Sequence, residues 1–186
     1  MKNIFLGLAA IPLMGMAPTG MTVTIGVGPA GNCYRAAVAH DASNVAMDGC
    51  NAAIDQGLLT ENNAVASYVN RGILHLVRTD YPRAEADFSR AMTIQPNQAE
   101  AWLNMGIAHY QQGRVESAAK LFERSIELRT QRPAIAYYGR ALAKEDRGDL
   151  KGAYADLRRA NELNPGWAAP VNELKRFRVL RKGQTI

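Results

Sequence analysis

The chain is poor in the residues that carry most enzymatic chemistry. Of 186 residues, two are cysteine (Cys33 and Cys50) and three are histidine (His40, His75 and His109). Two cysteines cannot complete a structural zinc site by themselves, and their spacing is not the C-x-x-C of a redox dithiol. His75 and His109 have no third ligand or carboxylate cluster near them, so no metal is expected, and both read as packing residues. Serine is sparse. There is no G-x-S-x-G, no H-E-x-x-H and no phosphate-binding loop. No nucleophile–base pairing is readable, so the expectation is a non-enzyme with no catalytic residues and no cofactor.

Charge is missing from one long stretch: after Lys2 no charged residue occurs until Arg35. Inside it, Ile4 to Ala17 is almost continuously apolar behind the basic start Met1-Lys2-Asn3. That pattern is a secretory signal. The run is too short for a membrane span, which needs ~20 apolar residues, and Pro12 interrupts it. Ala17 is followed by Pro18, a poor residue after a cut, so cleavage near Thr19 or near Ala30 stays open, as does an alternative start at Met21. Cys33 has no convincing lipobox before it. Residues 1–30 are therefore expected to be a signal peptide and flexible segment, and the protein periplasmic or secreted.

Thr22 to Gly31 imitates a strand followed by G-x-G-x-x-G, the dinucleotide-binding fingerprint. That fingerprint acts only within a βαβ unit. The chain beyond Gly31 is helical and repetitive in pattern, which leaves no room for a parallel sheet.

The repetition is explicit. Tyr68, Gly72, Ala84, Phe88 and Ala91 recur as Trp102, Gly106, Ala118, Phe122 and Ser125, each 34 residues later. Tyr137, Ala141, Ala153, Leu157 and Ala160 continue the series at an offset of 35, with one residue inserted near Arg132-Pro133. Apolar residues within each unit follow i, i+3, i+4, i+7 spacing, which gives two amphipathic helices per unit. Small residues at fixed places let the paired helices approach. Pro82 and Pro133 suit a helix's first turn, and Gly113 and Gly148 mark turns between helices. A single pair cannot bury its own apolar face, so stacking supplies the core.

These residues resemble the tetratricopeptide repeat family over about 65–165. The stretch Ala99 to Gly106 is close to that family's first-helix pattern, and Ala118, Phe122 and Ser125 stand at its second-helix positions. Pro96 and Pro165 keep the closing proline, which Thr130 replaces. His75, His109 and Lys144 stand where a large apolar residue is usual. The resemblance implies an all-α, helix-turn-helix repeat solenoid. Its expected parts are a degenerate helix pair at 31–64, units at 65–98, 99–133 and 134–167, and a capping helix at 168–182.

Carrying the repeat frame backward puts Cys33 and Cys50 opposite each other within the first, degenerate pair, so a structural disulfide is expected in an oxidising compartment. At the other end, Lys175, Arg176, Arg178, Arg181 and Lys182 make a basic patch on the last helix. Its first reading is the solvated face of a cap; the other is contact with a membrane surface. From Val171 onward the chain has five Lys or Arg and one Glu. The remainder is nearly neutral, so no nucleic acid is expected.

In the family's frame the concave groove is lined by Val69, Ile73, Leu76 and Val77, by Leu103, Ile107, Tyr110 and Gln111, and by Tyr138, Leu142 and Glu145. An apolar groove with two tyrosines suits an extended peptide or an amphipathic helix. The expected partner is another protein or peptide. A groove already filled from within the chain, by 31–64, is the alternative.

Overall fold

Capping residues and turns mark off a row of short helices. The computed structural model describes residues 28–55 and 60–177. Among them lie α1 (Pro29–Ala39), α2 (Asn44–Asp55), α3 (Glu61–Val77), α4 (Tyr81–Ile94), α5 (Ala99–Gln111), α6 (Val115–Glu127), α7 (Pro133–Asp146), α8 (Leu150–Leu163) and α9 (Ala168–Leu174). The described residues contain no strand. The expected signal segment lies outside them up to residue 27.

The starts of these helices are chemical. Thr60 caps α3 by accepting from the Asn63 N–H (3.4 Å), Asp80 caps α4 through the Arg83 N–H (3.3 Å), and Asp149 caps α8 through the Gly152 N–H (2.9 Å). Each relieves one of the unpaired N–H groups at a helix start. Because Thr60 is a cap, α3 begins at Glu61, and the expected boundary at residue 65 falls inside it. The last helix is also shorter than expected: α9 ends at Leu174, where N–H groups of Arg176 and Phe177 bond three residues back and tighten the turn. Residues 178–182 of the expected cap lie outside the described region.

Adjacent helices pair as α1/α2, α3/α4, α5/α6 and α7/α8, and α4 packs on α5 and α6 on α7 to stack the pairs. The fold is an all-α helical repeat solenoid. Its core repeats a fitted contact. A Cβ added at Gly72 would lie 2.5 Å from Phe88, and one at Gly106 would lie 2.9 Å from Phe122. Phe122 is held from the other side by Gly139, where a Cβ would sit 2.5 Å from the ring. In the third unit the same register carries Ala141 and Leu157, so a slightly larger residue is matched by a smaller partner.

The histidines and lysine that replace the usual large apolar residue find polar neighbours. Lys144 Nζ reaches Asp156 (2.8 Å), His109 Nδ1 meets the Ser117 hydroxyl (2.7 Å), and buried His75 lies 3.8 Å from both Asp80 and Asp87. Thr130 also has a reason to replace proline. Its N–H donates to the Ser125 carbonyl (3.0 Å) and its hydroxyl donates to Glu100 (3.0 Å), bonds that a proline could not make.

At the amino end, α1 and α2 offer little bulk: Cys33, Ala36, Ala37, Met47, Cys50 and Ala53 are their buried apolar residues. The Cys33 and Cys50 sulfurs are bonded at 2.05 Å, 17 residues apart in sequence. Closing a loop of that size contributes about 3 kcal/mol in the chain-entropy view.

Candidate functional site

Stacking sets α1, α3, α5 and α7 along one row, the row to which the repeat frame assigns the groove. The substantial contacts run α1 to α3, α3 to α5 and α5 to α7, and each helix meets its row neighbour over less surface than its own second helix. The eleven groove residues named from the sequence all lie on this row, and three of them, Val77, Gln111 and Glu145, are half-buried. They do not form the open apolar surface that was expected. Val69, Ile73, Leu76, Leu103 and Ile107 are 0% exposed, Leu142 is 1%, Tyr110 is 3% and Tyr138 is 5%. The correction has a physical reason: so much apolar area left in water would cost about 25 cal/mol per Å², and the chain covers it.

The expected internal cover explains only part of that burial. The described part of 31–64 is α1 and α2, and its substantial packing stops at α3. It can shield Val69 and Ile73. It does not account for Leu103, Ile107 or Leu142, which stand on later helices.

Polar groups punctuate the row. Tyr110 Oη donates to Asp146 (2.8 Å), and burial, with that carboxylate beside it, raises the phenol well above its usual range. Tyr138 is pushed up to about 12, first by burial and then by Glu173 and Glu145. Its ring packs edge-on against Trp167 with centroids 4.8 Å apart. Gln111, beside Tyr110, has both side-chain amide atoms buried with no hydrogen-bond partner. The repeat frame puts Gln111 in the groove but carries no signal that its amide would be buried.

The basic patch is only partly described. Arg176 bonds Glu145 (2.7 Å) on α7 and Glu173 on its own turn, so it serves to dock the end of the chain. Lys175 donates to Asn172 (3.0 Å). Arg178, Arg181 and Lys182 lie outside the described residues. No sequence pattern hints at a second, polar cleft of about 610 Å³, which opens between α2, α3 and α4 and is lined by Asn51, Arg71, His75, Arg78, Arg83 and Asp87 among others. Its cations are already held: Arg71 grips Asp87 with two bonds (2.7 and 2.9 Å) and also Asn51 (3.0 Å), and Arg78 bonds the Ala42 carbonyl and Asn44. Among the described residues no cluster of three or more His, Cys, Asp or Glu could hold a metal. No described helix is long and apolar enough to cross a membrane.

Comparison with known proteins agrees with this architecture. Family profiles described as "Tetratricopeptide repeat" match residues 71–137 and 134–166, together more than half of the chain. Superkiller protein 3 of Saccharomyces cerevisiae is 32% identical over 78 residues, which is 42% of this chain and 5% of that protein. The chain thus matches only a small part of that relative's length. The solved structure of the first TPR of Spaghetti (RPAP3) bound to HSP90 peptide SRMEEVD superposes with a TM-score of 0.57 at 21% identity, covering 60% of this chain and 87% of that one. The crystal structure of MamA gives a TM-score of 0.62 at 17% identity, covering 76% and 80% respectively. Both likenesses are of fold.

Proposed function

Because the chain belongs to the tetratricopeptide repeat family, we propose that it is a non-enzymatic interaction module that takes a peptide or protein segment on the row α3, α5 and α7, in an exported, oxidising compartment such as a bacterial periplasm. One observation carries the reading. On the row, half-buried Gln111 has both side-chain amide atoms buried without a partner, and half-buried Val77 stands at the same place in the preceding unit. Apolar side chains hold a partner's side chains, and an amide that both donates and accepts can hold its backbone.

The acidic peptide SRMEEVD in the RPAP3 neighbour is a poor guide to the partner here. It carries three acidic side chains. The row in this chain buries Val69, Ile73, Leu103 and Ile107, and its carboxylates Glu145 and Asp146 are held by Arg176 and Tyr110. A neutral segment fits this surface better than an acidic one.

Export is supported by the apolar run Ile4 to Ala17 behind Lys2 and by the Cys33–Cys50 bond, which persists in oxidising compartments. Contact of the basic end with anionic lipid has weaker support, since Arg176 is occupied by Glu145 and Glu173. Vesicle sedimentation with Lys175, Arg176, Arg178 and Arg181 changed to Gln tests it, and wild type that stays in the supernatant rejects it. The interaction reading is tested by a pull-down from the native compartment with Gln111→Arg, a change at a half-buried position. The expected result is loss of partner capture with helicity unchanged. Capture at the wild-type level would reject the row as the binding face.

A further inference from the structure

The polar cleft of about 610 Å³ is built from one stripe on each of three helices. On α3, Arg71, His75 and Arg78 stand at i, i+4 and i+7, and on α2 Asn44, Asp48 and Asn51 repeat that spacing. Arg83 and Asp87 stand at i and i+4 on α4. Residues so spaced share one face of a helix, so polar side chains from all three helices meet in one concavity. Its volume is that of a small-molecule site. We propose that the cleft binds a small zwitterion, a free amino acid. Its carboxylate lies on the guanidinium and amide donors, and its ammonium lies at Asp48.

The hydrogen bonds inside the cleft use up acceptors and leave donors. Both Asp87 oxygens accept from Arg71. The side-chain oxygens of Asn51 and Asn44 accept from Arg71 and Arg78, which points both amide NH2 groups the other way. Arg78 spends Nε and Nη2 on these neighbours, and Arg83 spends Nη1 on Asp80. Nη1 of Arg78, the Nε and Nη2 edge of Arg83 and the two amides therefore remain as donors. The Nε and Nη2 edge of a guanidinium is a planar fork that takes a carboxylate with two bonds. Arg83 is exposed, so it can turn toward a ligand.

Charge selects a zwitterion over a simple anion. The three arginines are balanced by Asp87, Asp48 and, at the rim, Asp80. A dianion would meet these carboxylates, whereas a zwitterion adds no net charge. Asp87 is gripped by Arg71 and Asp80 by Arg83. Asp48 is exposed and none of the three arginines bonds it, so it is the carboxylate open to an ammonium.

His75 gives independent support. It is 7% exposed, and its Nδ1 has no hydrogen-bond partner. At the same register of the next two units, His109 Nδ1 meets the Ser117 hydroxyl and Lys144 Nζ reaches Asp156. Nearly all buried polar groups are bonded. The first unit alone of the three keeps an unserved polar group at this place, and this is the unit with the open cleft. An imidazole both donates and accepts, so a ligand carboxylate at the floor can serve it after a small turn of the ring.

The test titrates the full chain with the standard L-amino acids, one at a time, and follows the histidine ring signals by NMR. Lactate, which lacks the ammonium, ethanolamine, which lacks the carboxylate, and inorganic phosphate are the comparison probes. At least one amino acid should bind saturably and move the His75 signal while leaving that of His109 in place. Each comparison probe should bind at least about tenfold more weakly, since each lost charge-assisted contact is worth that much. Arg83→Gln and Asp48→Asn change exposed positions and should each weaken the amino acid by at least about tenfold at unchanged helicity. Saturable binding of no amino acid, wild-type binding by both variants, or tighter binding of phosphate or lactate would overturn the site. So would a ligand that moves the His109 signal and not that of His75.

Discussion

Thr79 stands where the other units carry glycine. The turn inside the second unit has Gly113 at φ 75° and that inside the third has Gly148 at φ 83°, whereas the first has Thr79 at φ 57°. A β-branched residue in the left-handed region costs roughly 1 kcal/mol. The short bond from its hydroxyl to the Arg78 carbonyl (2.6 Å) offsets part of that. Thr79→Gly should therefore raise stability by about 0.5 kcal/mol, read as a higher urea midpoint at unchanged slope. Gly139→Ala should act in the opposite sense. Its new Cβ would meet the Phe122 ring at 2.5 Å, and overpacking a filled core costs about 1–3 kcal/mol. Histidine gives a residue-scale pH dependence. Burial lowers His75 and His109 below 6.5 despite carboxylates nearby. The unfolded chain then binds more protons just below that pH, so stability is full above about 6.5 and falls as the solution is acidified. Urea titrations at several pH values should find that loss, and His75→Gln with His109→Gln should flatten it.

At the scale of the element, the units solve one packing position in two ways. Arg71 grips Asp87 in the first unit and Arg140 grips Asp156 (2.8 Å, two bonds) in the third. Each guanidinium also lies over a tyrosine, Tyr68 at 5.8 Å and Tyr137 at 5.2 Å. The second unit has Met105 and Leu121 at the same register. Removing the buried carboxylate should cost about 1.5–3 kcal/mol, because half-buried Arg140 loses two charge-assisted bonds and keeps Glu123 at 3.8 Å. Asp156→Leu alone should therefore destabilise strongly, and Lys144, which also bonds Asp156, adds to the loss. Arg140→Met with Asp156→Leu should recover much of it, since that pair already packs in the second unit. A double-mutant cycle in urea measures the coupling; additive losses would contradict it.

The same pairs show which features are legible in a sequence. Phe88 and Phe122 opposite Gly72 and Gly106 repeat at a fixed offset, so steric complementarity is visible as a pattern, and the solenoid with it. Arg71 and Asp87 are 16 residues apart, and no spacing pattern links them. Only the packing of α4 against α3 brings them together and buries the carboxylate. The start of α3 at Glu61 is set by the Thr60 cap, four residues before the unit boundary at 65 that the repeat pattern marks. The repeat frame puts the named groove residues on α3, α5 and α7, but their burial depends on long-range packing that a local pattern does not contain.

At the scale of the whole molecule, the excess positive charge is concentrated at one end. Residues before Val171 are nearly balanced, and Arg176 in the basic end docks on α7. What distinguishes the molecule is the contrast between its two rows. Second helices carry exposed charges such as Lys120 and Arg124, and the first-helix row is apolar and covered. The other end depends on the Cys33–Cys50 bond to hold two helices of small residues. Reduction should loosen α1 and α2 while α3 to α8 keep their helicity, a difference that hydrogen exchange of the two regions would register. The most direct test of the account compares photo-crosslinkers placed at Gln111 on the first-helix row and at Lys120 on a second helix, in the full chain in its native compartment. The account predicts partner adducts from Gln111 and none from Lys120. Partner adducts from Lys120 alone would contradict it.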